Sequence, residues 1–327
     1  MSDSRLHWPA GSLASGTWSV DLDQDRAGWS WSSLRVLDLS PGGSEALSTG
    51  PDELLVLPLA GSCAVSSGGQ SFELAGRPSV FDGPTDFAYV PRGVTVEVSS
   101  ALGGRFALPG ARAAADLPFR YGAAAGVPVE LRGALSCSRQ VNNFCTETAF
   151  AAERLLACEV LTPAGNWSSY PPHKHDEDRP GESVLEEIYY FEFADTRRGN
   201  GGTGSPAAGS AGSAMGYHRV YGSSAARPVD VVAEVRSGDV VLVPHGWHGP
   251  SMAVPGYDMY YLNVMAGPGE RVWRICDDPA HAWIRDTWIG QPVDPRLPFG
   301  RPEETERKRG GGIRGAVPSD EHRRSSG

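Results

Sequence analysis

Long apolar runs are missing from this 327-residue chain. No segment approaches the roughly 18 consecutive apolar residues of a membrane span, which argues against a transmembrane helix. The opening MSDSRLHWPAGS has no basic stretch followed by an apolar one, so no secretory signal is read there and a cytoplasmic location is expected. Positive charge is in deficit. Lys and Arg number 29 against 39 Asp and Glu, a net −10, which disfavours nucleic acid and an anionic membrane surface as partners. No helical basic module of the kind a DNA-binding regulator carries is present. Cysteine is sparse: Cys63, Cys137, Cys145, Cys158 and Cys276 form an odd set without a C-x-x-C pair, as expected of reduced thiols. Histidine is absent between His7 and His173, so the N-terminal half cannot supply a multi-imidazole site.

What is present reads as β-structure. The 41 glycines and 26 prolines punctuate short apolar segments, a texture of strands and turns. SSLRVLDLS, ELLVLPLAG, QSFELAG, FAYVP and TVEVS are strand-length pieces in the first half. RLLACEVLTP, VLEEIYYFEF, YHRVYGS, VVLVP and DMYYLNVMAG repeat the pattern in the second. Each half also has an apolar strand running into a V-P-x-G step, at FAYVPRGVTVEV and VVLVPHGWHGPSM. The expectation is an all-β chain of two tandem jelly-roll-like barrels with few short helices. Residues 1–125 form the first barrel, metal-free and structural, and residues 126–300 the second. The Gly/Ala/Ser-rich 199–216 reads as a flexible insert, and the polar 301–327 as a disordered tail.

The chemistry-bearing residues cluster in the second half. In NWSSYPPHKHD, His173 and His175 are alternate residues, which a strand would aim at one point. In VLEEIYYF, Glu186 and Glu187 follow, and Tyr189 and Phe191 share the side of Glu187. In SGDVVLVPHGWHG, His248 lies just past a Pro-x-Gly turn. An H-x-H pair alone is more often solvated than metal-bound. The ordered set H-x-H, E-I-x-Y and G-x5-P-x-G-x-H changes that balance. Three imidazoles and a carboxylate suit zinc, manganese or iron, with zinc the expected single divalent ion. Glu177, Asp178, Glu182 and Glu186 compete with Glu187 for the carboxylate position.

This ordered set resembles the two-part signature of the cupin superfamily. Gly238, Pro244, Gly246 and His248 reproduce its second part. The first part is stretched by the segment between His175 and the glutamates. A Glu directly before Ile matches the superfamily's ligand, which selects Glu187. NWSSYPPHKHD, LEEIYYF, RVYG, GDVVLVPHGWH and GYDMYYLNVMAGP are further similar to the 5-deoxy-glucuronate isomerases of myo-inositol catabolism. These are in turn related to the ketol-isomerases of pectin breakdown. The resemblance implies a bicupin and conversion of 5-deoxy-glucuronate, an aldose, to the ketose 5-dehydro-2-deoxy-gluconate.

Such a conversion needs a Lewis acid for the developing oxyanion and a base to move a proton between adjacent carbons. Glu159, charged within the apolar strand ACEVLTP, is the candidate base if it faces the cavity; a solvent-facing role is the alternative. Tyr261 is a second catalytic candidate. It shares a strand face with Asn263, placed to hold sugar hydroxyls, while Tyr260 points the other way. The substrate's carboxylate calls for a guanidinium, and the strand-embedded Arg219 and Arg139 are the candidates, Arg219 favoured. The partner implied is thus a small sugar acid, and a homodimer is compatible with open strand edges. An iron dioxygenase on the same scaffold and a non-enzymatic sugar-binding cupin are the rival readings.

Overall fold

The computed structural model describes residues 6–198 and 213–300. The tail expected at 301–327, and all but residues 213–216 of the expected insert, lie outside the described residues. Among the described residues the fold is antiparallel β, with one α-helix of a single turn, Gln24–Ala27, and a few 3-10 turns. Among the described residues no helix is long and apolar enough to cross a membrane.

The N-terminal unit is a nine-stranded sheet running from Trp18–Leu22 to Arg120–Gly122. Its spine is the 16-residue strand Asp52–Ser67, which pairs with Gln70–Arg77, Phe87–Val90, Thr95–Ser100 and Gly104–Arg112. One strand can serve so many partners because it bends at irregularities around Pro58 and Gly61. Gly61 (φ +94°) lies so close to Gly103 that a Cβ would sit 2.7 Å from its carbonyl oxygen. Leu37, Leu54, Val65 and Phe106 fill this unit's interior.

The C-terminal unit has two facing sheets and a small two-stranded one, Asp176–Arg179 with Glu182–Val184. One has seven strands, in the order His7–Trp8, Val240–Val243, Glu186–Asp195, Tyr257–Ala266, Leu156–Thr162, Arg139–Cys145 and Val129–Arg132. The facing sheet contains Asp230–Val235, Gly216–Tyr221, Trp247–Ala253, His173–Lys174 and Cys276–Asp277. The strand His7–Trp8, inside the stretch expected to build the first barrel, pairs instead with Val240–Val243 of this unit.

The alternating side-chain directions of the seven-stranded sheet give it two buried faces. Glu187, Tyr189, Phe191, Tyr261 and Asn263 point between the two facing sheets. Ile188, Tyr190, Tyr260 and Leu262 point outward. There they join Leu34, Val36 and Leu57 of the N-terminal unit in one apolar core. Polar ties cross this contact. Glu186 accepts the backbone N–H groups of Ser30, Trp31 and Ser32 at 2.9–3.0 Å. Glu192 pairs with Arg105 at 2.5 Å. The N-terminal unit therefore braces the strand that carries Glu187 from behind.

Candidate metal centre and active site

His175, Glu187 and His248 place one ligand atom each within 4.8 Å of one another, and all three side chains are buried. They come from different elements. His248 lies in Trp247–Ala253, opposite His173 in the ladder; Glu187 lies in the other sheet, opposite Val243 and Met265. The remaining carboxylates proposed for the ligand position lie away from this cluster, Asp178 among them as an exposed residue. Glu186 holds the N-terminal unit, and Glu182 pairs with Lys174 at 2.7 Å and with Arg179. Glu177 is exposed beside Lys174 and Arg179.

The imidazoles are oriented by backbone carbonyls. His175 Nδ1 lies 3.1 Å from the Leu185 oxygen, His248 Nδ1 3.3 Å from that of Gly246, and His173 Nδ1 3.2 Å from that of Pro171. Donation from Nδ1–H to a carbonyl leaves the Nε2 lone pair free, the arrangement that orients metal-ligating histidines. The Nε2 atoms of His175 and His248 both lie 3.0 Å from Glu187 Oε2. Two imidazole lone pairs and a carboxylate converging in a buried site repel unless a cation joins them. Glu187 Oε1 is also buried without a hydrogen-bond partner. The donor set therefore fits a divalent ion.

His173 stands next to this cluster. Its ring meets that of His248 at 4.4 Å but lies 6.5 Å from that of His175, and it lines the cavity. Burial, and then the His248 imidazole, hold His173 well below its ordinary pKa, in the neutral form that a ligand requires. Burial alone would raise the Glu187 carboxyl; positive charge on the facing histidines outweighs it and holds the group well below the usual carboxylate range, and a bound cation would supply the same compensation when the imidazoles are neutral.

The cavity in front of His173 has a volume of about 480 Å³, a size suited to a small metabolite. Tyr261 and Asn263 line it, as their shared strand face requires. The Asn263 side-chain nitrogen is buried with no hydrogen-bond partner. Arg139 lines the same wall and is 7% exposed. Its guanidinium donates to the Cys137 carbonyl at 3.1 Å and lies over the Trp288 ring at 5.6 Å. Among the described residues no carboxylate lies within ion-pair distance of it. The neighbouring arginines are matched, Arg132 by Glu130 at 2.7 Å and Arg285 by Asp277. Burial first, with Arg132 and Arg285 adding repulsion, brings Arg139 down to about 10. A buried guanidinium under that stress favours an incoming anion.

Two expected site residues are elsewhere. Arg219 alternates with buried His218 and Val220 along Gly216–Tyr221 and so turns outward. It pairs with Asp230 at 2.5 Å, covers the Tyr221 ring and borders a separate shallow groove. It does not reach the cavity. Glu159 is fully buried but on the opposite face of its strand. Its neighbour Val160 lines the cavity, while Glu159 forms a two-point ion pair with Arg77 at 2.7 and 2.8 Å and accepts from Asn142 at 2.7 Å. That carboxylate joins the two units and is not positioned as a base.

Other residues at the site had not been singled out. Ser169 and Tyr189 line the cavity, and Tyr189 was marked only by sharing the Glu187 face. Buried His218 packs against Tyr189 at 4.4 Å, with Nδ1 2.8 Å from Ser251 Oγ. Burial, then the His248 imidazole, lowers His218 to about 3, so it is neutral. The alternation in YHRVY, which sets His218 and Arg219 on opposite faces, was the available signal.

The model of the KduI/IolB family matches residues 7–284. The chain belongs to that family. The 5-deoxy-glucuronate isomerase of Bacillus licheniformis is 38% identical over 267 residues, covering 81% of this chain and 91% of that protein. That of Bacillus subtilis strain 168 is 37% identical over 254 residues, covering 77% and 86%. The crystal structure of an IolB-like protein from Salmonella typhimurium superposes with a TM-score of 0.75 at 32% identity, over 86% of this chain and 99% of that one. An oxalate decarboxylase from Lactobacillus farciminis, 12% identical with a TM-score of 0.54, shares the cupin fold alone. Membership in the KduI/IolB family makes this chain an isomerase.

Proposed function

We propose that the protein converts 5-deoxy-D-glucuronate to 5-dehydro-2-deoxy-D-gluconate, an aldose–ketose isomerisation of cytoplasmic myo-inositol catabolism. The observation that carries this reading is one cavity lined by an unpaired buried guanidinium and by His173, whose ring meets His248 of the metal-type cluster at 4.4 Å. The substrate has matching ends, an aldehyde with a neighbouring hydroxyl and a distal carboxylate.

His175, Glu187 and His248, with His173 as fourth donor, would hold one divalent ion, zinc first and manganese or iron as alternatives. Such an ion supplies Lewis-acid stabilisation of charge developing on the carbonyl oxygen. Arg139 fixes the carboxylate through parallel N–H···O bonds, setting how deep the sugar chain sits. Asn263 offers its unpartnered amide to a substrate hydroxyl. Tyr261 presents a phenol that burial keeps protonated, hence a donor at the reacting oxygens.

Turnover of 5-deoxy-glucuronate by the purified protein, followed by NMR under anaerobic conditions, tests the reading. Formation of the ketose without oxygen supports it, whereas an oxygen requirement points to a dioxygenase. Arg139→Met is expected to lower kcat/KM by about 100-fold, mostly through KM, because it removes a charge-assisted bidentate contact. Its melting temperature should not fall, since the charge removed lacks a carboxylate partner in the free protein. Unchanged KM would remove Arg139 from the carboxylate site.

A further inference from the structure

Ser169 has an unusual backbone for its type. Its φ of +44° lies in the left-handed region, which non-glycine residues seldom occupy. The conformation is locked from outside by Gly249, the residue after His248. A Cβ on Gly249 would sit 1.8 Å from the Ser169 carbonyl oxygen, so only glycine permits this approach. Such outliers persist where the surroundings over-determine them, often at functional sites.

What this conformation achieves is the placement of one hydroxyl. Ser169 Oγ lies 3.2 Å from the Tyr189 hydroxyl and 3.0 Å from that of Tyr261. All three residues are buried and line the cavity. Tyr189 is two residues beyond Glu187 on the same strand face, and Tyr261 stands on the adjacent strand. The three oxygens make a continuous chain along the cavity wall. In each contact either oxygen can be the donor, so the chain can be polarised in either direction.

We propose that Ser169 bridges Tyr189 and Tyr261 into a neutral proton relay that moves the substrate's hydroxyl proton from O2 to O1, an inference that rests on the isomerase reading. Aldose–ketose conversion requires two hydrogen movements. The hydrogen on C2 goes to C1, and the proton on O2 goes to O1, as the double bond passes from C1–O1 to C2–O2. The relay serves the second movement. O2–H gives its proton to one phenol, which passes its own to Ser169 Oγ. Ser169 passes its proton to the other phenol, and that phenol delivers its own to O1. As many O–H bonds form as break, and each residue is neutral before and after. No phenolate is needed, which suits tyrosines buried at 1% exposure.

Single-turnover rates with 5-deoxy-glucuronate, in water and in mixtures with D₂O, test the relay in the full-length protein. Ser169→Ala should slow turnover by about 100-fold, in the range of a lost proton-transfer partner, with KM and bound metal unchanged. Ser169→Gly should be equally slow, although glycine relieves the backbone. The double variant Ser169→Ala/Tyr261→Phe should be no slower than the slower single variant, because the members act as a unit. The wild-type rate should fall along a curve with deuterium fraction, as for several protons in flight, and Ser169→Ala should lose that curvature. A Ser169→Ala protein within a few-fold of wild type, a fully active Ser169→Gly protein, or multiplying losses would overturn the relay. Wild-type protein that does not isomerise the sugar would sink the functional reading instead.

Discussion

The double substitution His175→Ala/His248→Ala should give a folded protein that binds no divalent ion and isomerises the sugar roughly a thousand-fold more slowly. The magnitude follows from the several kcal/mol a cation contributes at a developing oxyanion, each 1.36 kcal/mol being about ten-fold in rate. Folding should survive because the site's walls are held independently. Glu186 is anchored by three N–H groups of the N-terminal unit, and Ile188 and Tyr190 sit in the shared core. The loss should therefore appear as absent metal with an intact circular-dichroism spectrum and melting transition. Glu187→Gln is the milder companion. It keeps the side chain's size and removes the negative charge that faces both imidazoles at 3.0 Å. A double variant with normal activity would show that these histidines serve only to pack the interior.

Glu159→Gln should have its large effect on stability. Arg77 is buried and donates to both oxygens of Glu159, and also to the carbonyls of Pro58 at 3.0 Å and Gly83 at 2.7 Å. Burial by itself would lower the Arg77 pKa, but Glu159 outweighs it and raises the group above its ordinary value. Removing one member of such a pair leaves an uncompensated buried charge, at a cost of about 3–5 kcal/mol. Denaturant unfolding should record that loss, while turnover per folded molecule stays near wild type. Replacing both partners, as in Arg77→Met/Glu159→Leu, should recover much of it, since an apolar pair of similar volume needs no charge compensation. If Glu159→Gln instead retained its stability and lost turnover, the carboxylate would return as a candidate base.

These two sites mark how far side-chain pattern alone reaches. Glu187, Tyr189 and Phe191 were readable as one face because their strand alternates, and Tyr260 and Tyr261 were readable as opposed for the same reason. The metal-type donors were readable because their spacing recurs as an ordered set. Glu159 was not readable. Leu156–Thr162 is buried on both faces, so no polar period tells which side meets the cavity and which meets the other unit. Arg219 misled because alternation sets it opposite His218 without saying which of the two faces meets the site; the fold turns His218 inward and Arg219 outward to Asp230. Arg139 was identified as a candidate, but its distinction depends on what surrounds it. Only the folded structure shows Arg132 and Arg285 provided with carboxylates and Arg139 without one. Ser169 was hidden for a related reason, since its hydroxyl gains meaning from two tyrosines 20 and 92 residues away. The strand His7–Trp8 likewise joins the C-terminal sheet through pairing too distant in sequence for local pattern to reveal.

The central claim is that buried imidazoles and Glu187 hold a divalent ion on which isomerisation depends. Its most direct test is activity measured against metal content, with the protein stripped by chelator and then titrated with zinc, manganese or iron(II). Turnover of 5-deoxy-glucuronate should be lost on stripping and return in proportion to bound metal, levelling at about one ion per chain. Protein verified as metal-free by elemental analysis, yet isomerising the sugar at the untreated rate, would contradict it.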